Sequence, residues 1–466
     1  MNQTKTRFAP SPTGLLHLGN ARTALLSALF GERFLLRIED TDQERSRSEF
    51  VAALLKDMRW MGLAWDEGPQ SDLANPDYFQ SKRGEVYVRY YDQLERTGLA
   101  YPCFCTATEL EISRKVQLSS GQPPRYNGKC GRLNPEDIER RLQKGLQATL
   151  RFRVPRNETV EFDDLVRGSQ KFDTDDIGDF IVRRADGTPA FFFCNAIDDS
   201  LMGVTHVLRG EDHLSNTPRQ LLILKALGLP KPEYAHISLV LGDDGAPLSK
   251  RNGSRSLSQL REEGYFPLAL LNMLARIGHH YENESLMSFE ELKKHFDIAH
   301  LGKSPSRFDI AHLQHWQEEV VRVADDDTLW HWLHKETRAL VPIEKQALFL
   351  DIARTNCVFP HQADEWARIL FTDELAPTTE INNVARHAGE PFFLAAMDAS
   401  VMAGDDFNAF MAQLKVKSGA KGKALFMPLR AALSGRTDGP ELAKLYQAME
   451  PDLLRKRLEE YAGVAG

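Results

Sequence analysis

One run of residues constrains this chain more than any other: Arg7-Phe8-Ala9-Pro10-Ser11-Pro12-Thr13-Gly14, then His17-Leu18-Gly19-Asn20. Pro10 and Pro12 each fix φ and remove a backbone donor, so the segment is stiff. Gly14 lets it turn. The alanine-rich apolar stretch 21–30 reads as a helix. Strand, stiff turn and helix start therefore follow one another. A helix N-terminus attracts phosphate through its free N–H groups and its dipole. A histidine there can touch a phosphate, and a glycine lets a flat base or ribose approach the backbone. Taken alone, the pattern also fits an ordinary strand-to-helix turn capped by Asn20.

Residues 34–39 read as a buried strand and 48–63 as a helix with Phe50, Leu54, Leu55 and Met58 on one side. A β-α-β opening favours a parallel sheet with crossover helices. From about 86 to 190 the pattern changes to helices, a cysteine-containing loop and alternating strands such as 149–154, as in a domain inserted into the sheet. Residues 190–195 and 204–208 resume buried-strand character, and helix 218–227 follows. Beyond about 251 the period is helical, with breaks near Phe359-Pro360 and Thr437-Asp438-Gly439-Pro440.

The full length of 466 residues suits roughly three structural units. A net charge of −8 does not mark a general nucleic-acid binder, so any RNA contact must come from a local basic patch. No stretch approaches the ~18 apolar residues of a membrane span. Residues 1–5 lack an apolar leader run, and five cysteines do not make a disulfide framework. The expectation is a cytoplasmic protein.

The opening string resembles the nucleotide motif of class I aminoacyl-tRNA synthetases, in the form used by the glutamyl/glutaminyl branch. The blocks Leu36-Arg37-Ile38-Glu39-Asp40-Thr41-Asp42, 62–69 (GLAWDEGP), Gln80-Ser81-Lys82-Arg83, 206–220 (HVLRGEDHLSNTPRQ), Leu248-Ser249-Lys250-Arg251 and 421–430 (KGKALFMPLR) continue the likeness in the same order. The resemblance implies an α/β Rossmann-like class I nucleotide-binding domain with an inserted α+β domain, followed by all-α anticodon-binding domains. The implied boundaries are 1–85 and 190–222 for the catalytic halves, 86–189 for the inserted acceptor-binding domain, 223–320 for a stem-contact region with a mobile phosphate loop, and 321–466 for the anticodon-binding region.

The implied activity is ATP-dependent activation of L-glutamate to an adenylate and its transfer to the 3′ terminal adenosine of tRNA-Glu. Neither step needs a protein nucleophile; positioning and charge stabilisation do the work. By resemblance, His17, Gly19 and Asn20 face ATP, bound with Mg2+. Ser249, Lys250 and Arg251 form the loop that holds the phosphates. Where the family has a lysine this chain has Pro247, which removes one phosphate-binding cation. Glu39 pairs with the substrate ammonium, while Arg7 and Arg209 take carboxylates, which suit a planar guanidinium. Ala9, Ser11, Phe191 and Asn195 complete the substrate pocket. The family has tyrosine at Phe191, so one pocket donor is absent.

Cys103, Cys105 and Cys130 match a zinc motif of the family, with Arg132 where a fourth, histidine ligand is usual. Two readings stand: Zn2+ held by three thiolates and the Tyr126 phenolate, or a vestigial site of reduced thiols. Lys415, Lys417, Lys421, Lys423, Arg430 and Arg436 form a dense basic cluster suited to tRNA phosphates. Arg354 is the candidate reader of an anticodon base. The family's members are usually monomers. Two alternatives remain: a non-discriminating or tRNA-Gln-directed enzyme, and a weakly catalytic tRNA-binding paralogue.

Overall fold

The computed structural model describes residues 3–42, 44–69, 76–242, 244–248 and 255–463. Strand β1 (Lys5–Phe8) pairs in parallel with β2 (Arg33–Leu36), Arg7 standing opposite Leu35. Between them runs the 13-residue helix α1 (Leu18–Phe30). Its alanines and leucines, Ala21, Ala24, Leu25 and Leu26, are fully buried. The N-cap of α1 is His17, not Asn20, which lies exposed inside the first turn. The helix starts early because Leu16 and His17 are held as extended chain: Leu257 N–H donates to the Leu16 carbonyl (2.9 Å) and His17 bridges Ser256.

Helix α2 (Ser48–Trp60) buries Leu54, Leu55 and Met58, the apolar side its spacing announces. The following segment carries α3 (Gly84–Arg96), β3 (Ala100–Cys103), α4 (Ala107–Ser119), α5 (Pro135–Gln143), β4 (Thr149–Phe152), the antiparallel hairpin β5 (Thr159–Asp164) and β6 (Gly168–Asp173), the short α6 (Thr174–Ile177) and β7 (Phe180–Arg183). Strands β3, β4 and β7 make their own antiparallel sheet. The hairpin does not join it. Instead β5 meets a later strand, β9 (Glu233–Ile237), at Asp164 and Tyr234, so the hairpin extends the sheet to which β9 belongs.

Residues 190–195, expected as a strand, open helix α7 (Phe191–Leu201). The run Phe191-Phe192-Phe193-Cys194 has no visible period, which is where strand and buried helix cannot be told apart. The polar residues decide: Asn195 and Asp199, four apart, share one side of a helix and reach buried arginines there. The opposite side sends Phe193, Cys194 and Ile197 into a core with Tyr87, Tyr91, Leu222 and Ile223. Phe193 stacks on Tyr91 at 4.5 Å.

Strand β8 (His206–Gly210), helix α8 (Thr217–Leu227) and β9 (Glu233–Ile237) close the unit, β8 and β9 running parallel. Thr205, just before β8, donates its N–H to the Lys5 carbonyl (2.9 Å), which sets β8 beside β1. Beyond β9, β10 (Val240–Leu241) folds back on Pro247, and Leu248 N–H donates to the Val240 carbonyl (2.8 Å).

The chain forms two compact units, Met1–Leu260 with Leu270–Ile310, and Arg261–Ala269 with Ala311–Gly466. The second is helical and has its own core, which includes Phe349, Trp366, Phe393, Phe410, Leu429 and Tyr446. Pro360 opens the helix Pro360–Phe371, where its missing N–H costs nothing, and that accounts for the break expected there. Cys194 and Cys357 are buried packing residues of the two cores. No helix of the described residues is long and apolar enough to cross a membrane.

Candidate active site

Strands β1, β2, β8 and β9 contribute their C-terminal ends to one cavity of about 450 Å3: Phe8–Pro10 after β1, Glu39 after β2, Gly210 at the end of β8 and Ser238–Val240 after β9. Parallel strands place these ends on the same edge, the usual crevice of open α/β sheets. The first turn of α1 also faces the cavity through His17, Gly19 and Asn20, with Ser11 and Thr13 alongside. A Cβ at Gly19 would meet only the His17 ring, at 3.5 Å, ordinary contact. The fold itself therefore does not require glycine there, and its bare backbone is available to a ligand.

The cavity also collects buried charge. Arg7 (5% exposed) lines the cavity and gives Nε to Asp199 Oδ1 (3.3 Å) and Nη1 to the Leu208 carbonyl (3.2 Å), neither bond using Nη2. Arg37, fully buried, gives Nη1 to the same Asp199 oxygen (2.7 Å) and Nη2 to Asn195 Oδ1 (2.6 Å). Glu39 lies 3.6 Å from Arg37 Nη2. Burial pushes its carboxyl up to about 7, against the pull of Arg37 and Arg7. Burial opposes the charge on Asp199 as well, but Arg37 and Arg7 hold its carboxyl below the ordinary value.

Arg209 differs from the other two. Its Nε goes to His236 Nε2 (3.1 Å) and its Nη2 to Thr217 Oγ1 (2.8 Å) and Gln220 Oε1 (2.7 Å), all uncharged groups. No ion pair of the described residues includes it, and burial brings its guanidinium down to about 10, still charged at neutral pH. Arg209 lines the cavity, and none of these three bonds uses its Nη1. A buried cation without a carboxylate is costly unless a ligand supplies one.

Of the residues expected in the substrate pocket, Arg7, Ala9, Ser11, Glu39, Phe191 and Arg209 line the cavity. Phe191 stacks on His213 at 5.2 Å. Asn195 does not line it: its side chain bridges Arg37 and the Phe191 carbonyl, and so supports the wall from behind. Pro247 and Leu248 line the cavity, while Ser249, Lys250 and Arg251 lie outside the described residues. Sequence reasoning missed Arg37, Asp199, Arg22 and His236. Arg22 donates to the Ile277 and Ser238 carbonyls from α1. The i, i+4 pair Asn195 and Asp199 inside an apolar run was a readable signal.

The structure brings Cys103, Cys105, Cys130 and Tyr126 together. The three sulfurs lie within 4.8 Å of one another, with Cys105 and Cys130 3.6 Å apart. Tyr126 Oη is 3.4 Å from Cys103 and 3.5 Å from Cys105. A tetrahedral zinc site with three sulfurs and one oxygen has edges of about 3.8 Å and about 3.6 Å, so this donor set fits the metal. Burial opposes ionisation of Cys103, but hydrogen bonding with Tyr126 and Arg151 brings its thiol down to about 7.

In the helical unit, Lys415 and Lys417 end the helix Phe407–Ser418, and Lys423 starts Lys423–Ser434. Lys415, Lys421 and Lys423 are exposed; Lys417 pairs with Asp398 (3.1 Å). Two arginines of the expected cluster have partners within the fold. Arg430 donates to the Pro440 carbonyl (2.6 Å), and Arg436 pairs with Glu365 while covering the Trp366 ring at 5.0 Å. Arg354 is likewise tied, to Asp326 (2.6 Å) and the Ala324 carbonyl (3.1 Å).

Residues 3–315 match the model of the class I tRNA synthetase (E and Q) catalytic domain, and 350–462 that of an anticodon binding domain. The chain is 66% identical to glutamate–tRNA ligase 1 of Methylococcus capsulatus, over 99% of both chains. It is 55% identical to glutamate–tRNA ligase 2 of Nitrosococcus oceani, over 98% of both. A crystal structure of a glutamate tRNA ligase from Elizabethkingia meningosepticum, in complex with its amino acid, superposes with a TM-score of 0.89 at 26% identity over the whole of both chains. With its parallel-strand crevice, paired cavity arginines and helical C-terminal unit, this chain belongs to the class I tRNA synthetases of the E and Q branch.

Proposed function

We propose that this chain is a ligase that activates L-glutamate with ATP and transfers it to the 3′ terminal adenosine of tRNA-Glu. The observation that carries the reading is the charge pattern of the cavity. Glu39 supplies one buried carboxylate, and Arg7 and Arg209 each keep an N–H group for a ligand. That set complements an amino acid with one ammonium and two carboxylates. A neutral amide side chain would leave an arginine without an anion, which disfavours glutamine. The kinship with enzymes named glutamate–tRNA ligases supports the same choice.

Glu39 holds the ammonium, and Arg7 and Arg209 hold the carboxylates. ATP lies along the first turn of α1, its phosphates toward the helix N–H groups and His17, its adenosine over Gly19. The α-carboxylate of glutamate attacks the α-phosphorus and pyrophosphate leaves. Lys250, with Ser249 and Arg251, offsets the charge gathering on the phosphates. A terminal ribose hydroxyl of the tRNA then attacks the adenylate carbonyl and AMP leaves. Segment 86–189 takes the acceptor end, 223–320 the stem, and 321–466, through Lys415, Lys417, Lys421 and Lys423, the anticodon arm. Zinc bound by Cys103, Cys105, Cys130 and Tyr126 supplies a structural crosslink only; about one zinc per purified chain is expected by metal analysis.

Charging tRNA-Glu and tRNA-Gln separately with labelled glutamate tests the reading. Charging of tRNA-Glu alone is expected. Charging of tRNA-Gln would redirect the tRNA assignment, and charging of neither, with tRNA still bound, would leave a binding paralogue.

A further inference from the structure

Arg209 is held from behind by a buried relay that starts in the β5–β6 hairpin. Asp164 is 3% exposed and His236 is fully buried. Asp164 Oδ1 accepts the N–H groups of Val166 (3.0 Å) and Arg167 (2.8 Å), and the His236 N–H lies 3.1 Å from both carboxylate oxygens. Oδ2 stands 2.6 Å from His236 Nδ1. Burial opposes the charge on Asp164, but His236 and these N–H groups keep its carboxyl below the ordinary value. A carboxylate only accepts, so Nδ1 carries the ring proton and Nε2 offers its lone pair. That lone pair receives Arg209 Nε–H at 3.1 Å, with Thr217 Oγ1 at 3.0 Å. Burial lowers the proton affinity of His236, which favours the neutral ring this geometry needs.

We propose that Asp164 and His236 are positioning residues that fix the Arg209 guanidinium for the substrate carboxylate by selecting one histidine tautomer. The proposal rests on the reading of Arg209 given above. With the proton on Nε2, two donors would face each other, and Arg209 would leave Thr217 and Gln220. The part of the guanidinium that lines the cavity would move with it, and a misplacement of this kind acts on substrate binding.

Asp164→Asn is the near-isosteric test. Two loop N–H groups hold the oxygen at the Oδ1 place, so the amide nitrogen takes the Oδ2 place and donates to His236 Nδ1. The ring proton is then forced to Nε2, the wrong tautomer. In tRNA charging by the full chain, the KM for glutamate should rise at least about tenfold, equivalent to about 1.4 kcal/mol. The kcat at saturating glutamate and the KM for ATP should stay within about twofold. His236→Gln, whose amide oxygen reaches the Nε2 place, should stay near the parent KM, and His236→Leu, which has no acceptor, should not. An unchanged glutamate KM in Asp164→Asn, a uniform loss of kcat and both KM values, or equal behaviour of the two His236 variants would overturn the relay. Arg209→Gln separates the two claims. If it leaves the glutamate KM unchanged, the reading of Arg209 itself fails; if it raises it while Asp164→Asn does not, only the relay fails.

Discussion

The cations in and behind the cavity wall and those of the helical unit solve opposite problems. Arg7, Arg37 and Arg209 are at most 5% exposed, and fixed partners hold each of them. Lys415, Lys421 and Lys423 stand in water and make no ion pair among the described residues. Burying a charge costs several kcal/mol unless geometry repays it, so buried, fixed cations suit an anion at one place and disfavour a ligand that lacks one. An exposed lysine costs little to display and gains little from one contact. Several together attract a polyanion in a salt-dependent way and do not prescribe its register. In the proposed function, the difference separates selection of a small substrate from capture of a large one.

The largest break in that comparison should come from Asp199→Asn. It leaves Arg7 and Arg37 buried beside an amide, so urea unfolding should show a loss of about 3–5 kcal/mol, and charging should fail. A loss below about 1 kcal/mol would mean that Glu39 alone balances the arginines. Glu39→Gln should act on binding and not on the fold. Its glutamate KM should rise about 100-fold, in line with the ~1.5–3 kcal/mol of a hydrogen bond to a charged group. Its melting temperature should match or exceed that of the parent. The sign follows from linkage: the folded carboxyl titrates near 7, above its unfolded value of 4.5. The folded state therefore binds the proton more tightly, and stability falls as pH rises between those values.

The same titration sets a pH profile. If Glu39 holds the substrate ammonium as proposed, only its ionised form does so, and kcat/KM for glutamate should fall toward tenfold per pH unit below about 7. Glu39→Gln should lack that limb. The smallest effect belongs to the surface. Replacing Lys415, Lys421 and Lys423 together by alanine should raise the KM for tRNA several-fold at low salt. The salt dependence should flatten by roughly 0.7–0.9 for each phosphate that is no longer neutralised, with the glutamate KM unmoved. An equal loss on both substrates would erase the division between selection and capture.

Local signals carried far. The Pro10-Ser11-Pro12 turn, the alanine-rich α1, Glu39 after β2 and the three clustered cysteines are all legible residue by residue. Helix α7 is not legible in the chain, because a triple phenylalanine has no period and its polar face makes sense only with Arg7 and Arg37 in view. The partners inside the basic cluster were not legible for a related reason. Arg430 and Arg436 look like free charge in the chain, yet the one donates to the Pro440 carbonyl and the other pairs with Glu365.

By itself the sequence determined the order of strand, turn and helix, the residue types at the crevice and the family they mark, because those follow from short-range sterics, period and motif spacing. Only the tertiary structure decided which partner each charge keeps. Asp199 joins Arg7 across 192 residues, and Asp164 reaches His236 across 72. Such contacts depend on which groups lose water together when the sheet assembles, and neighbouring residues in the chain carry no record of that.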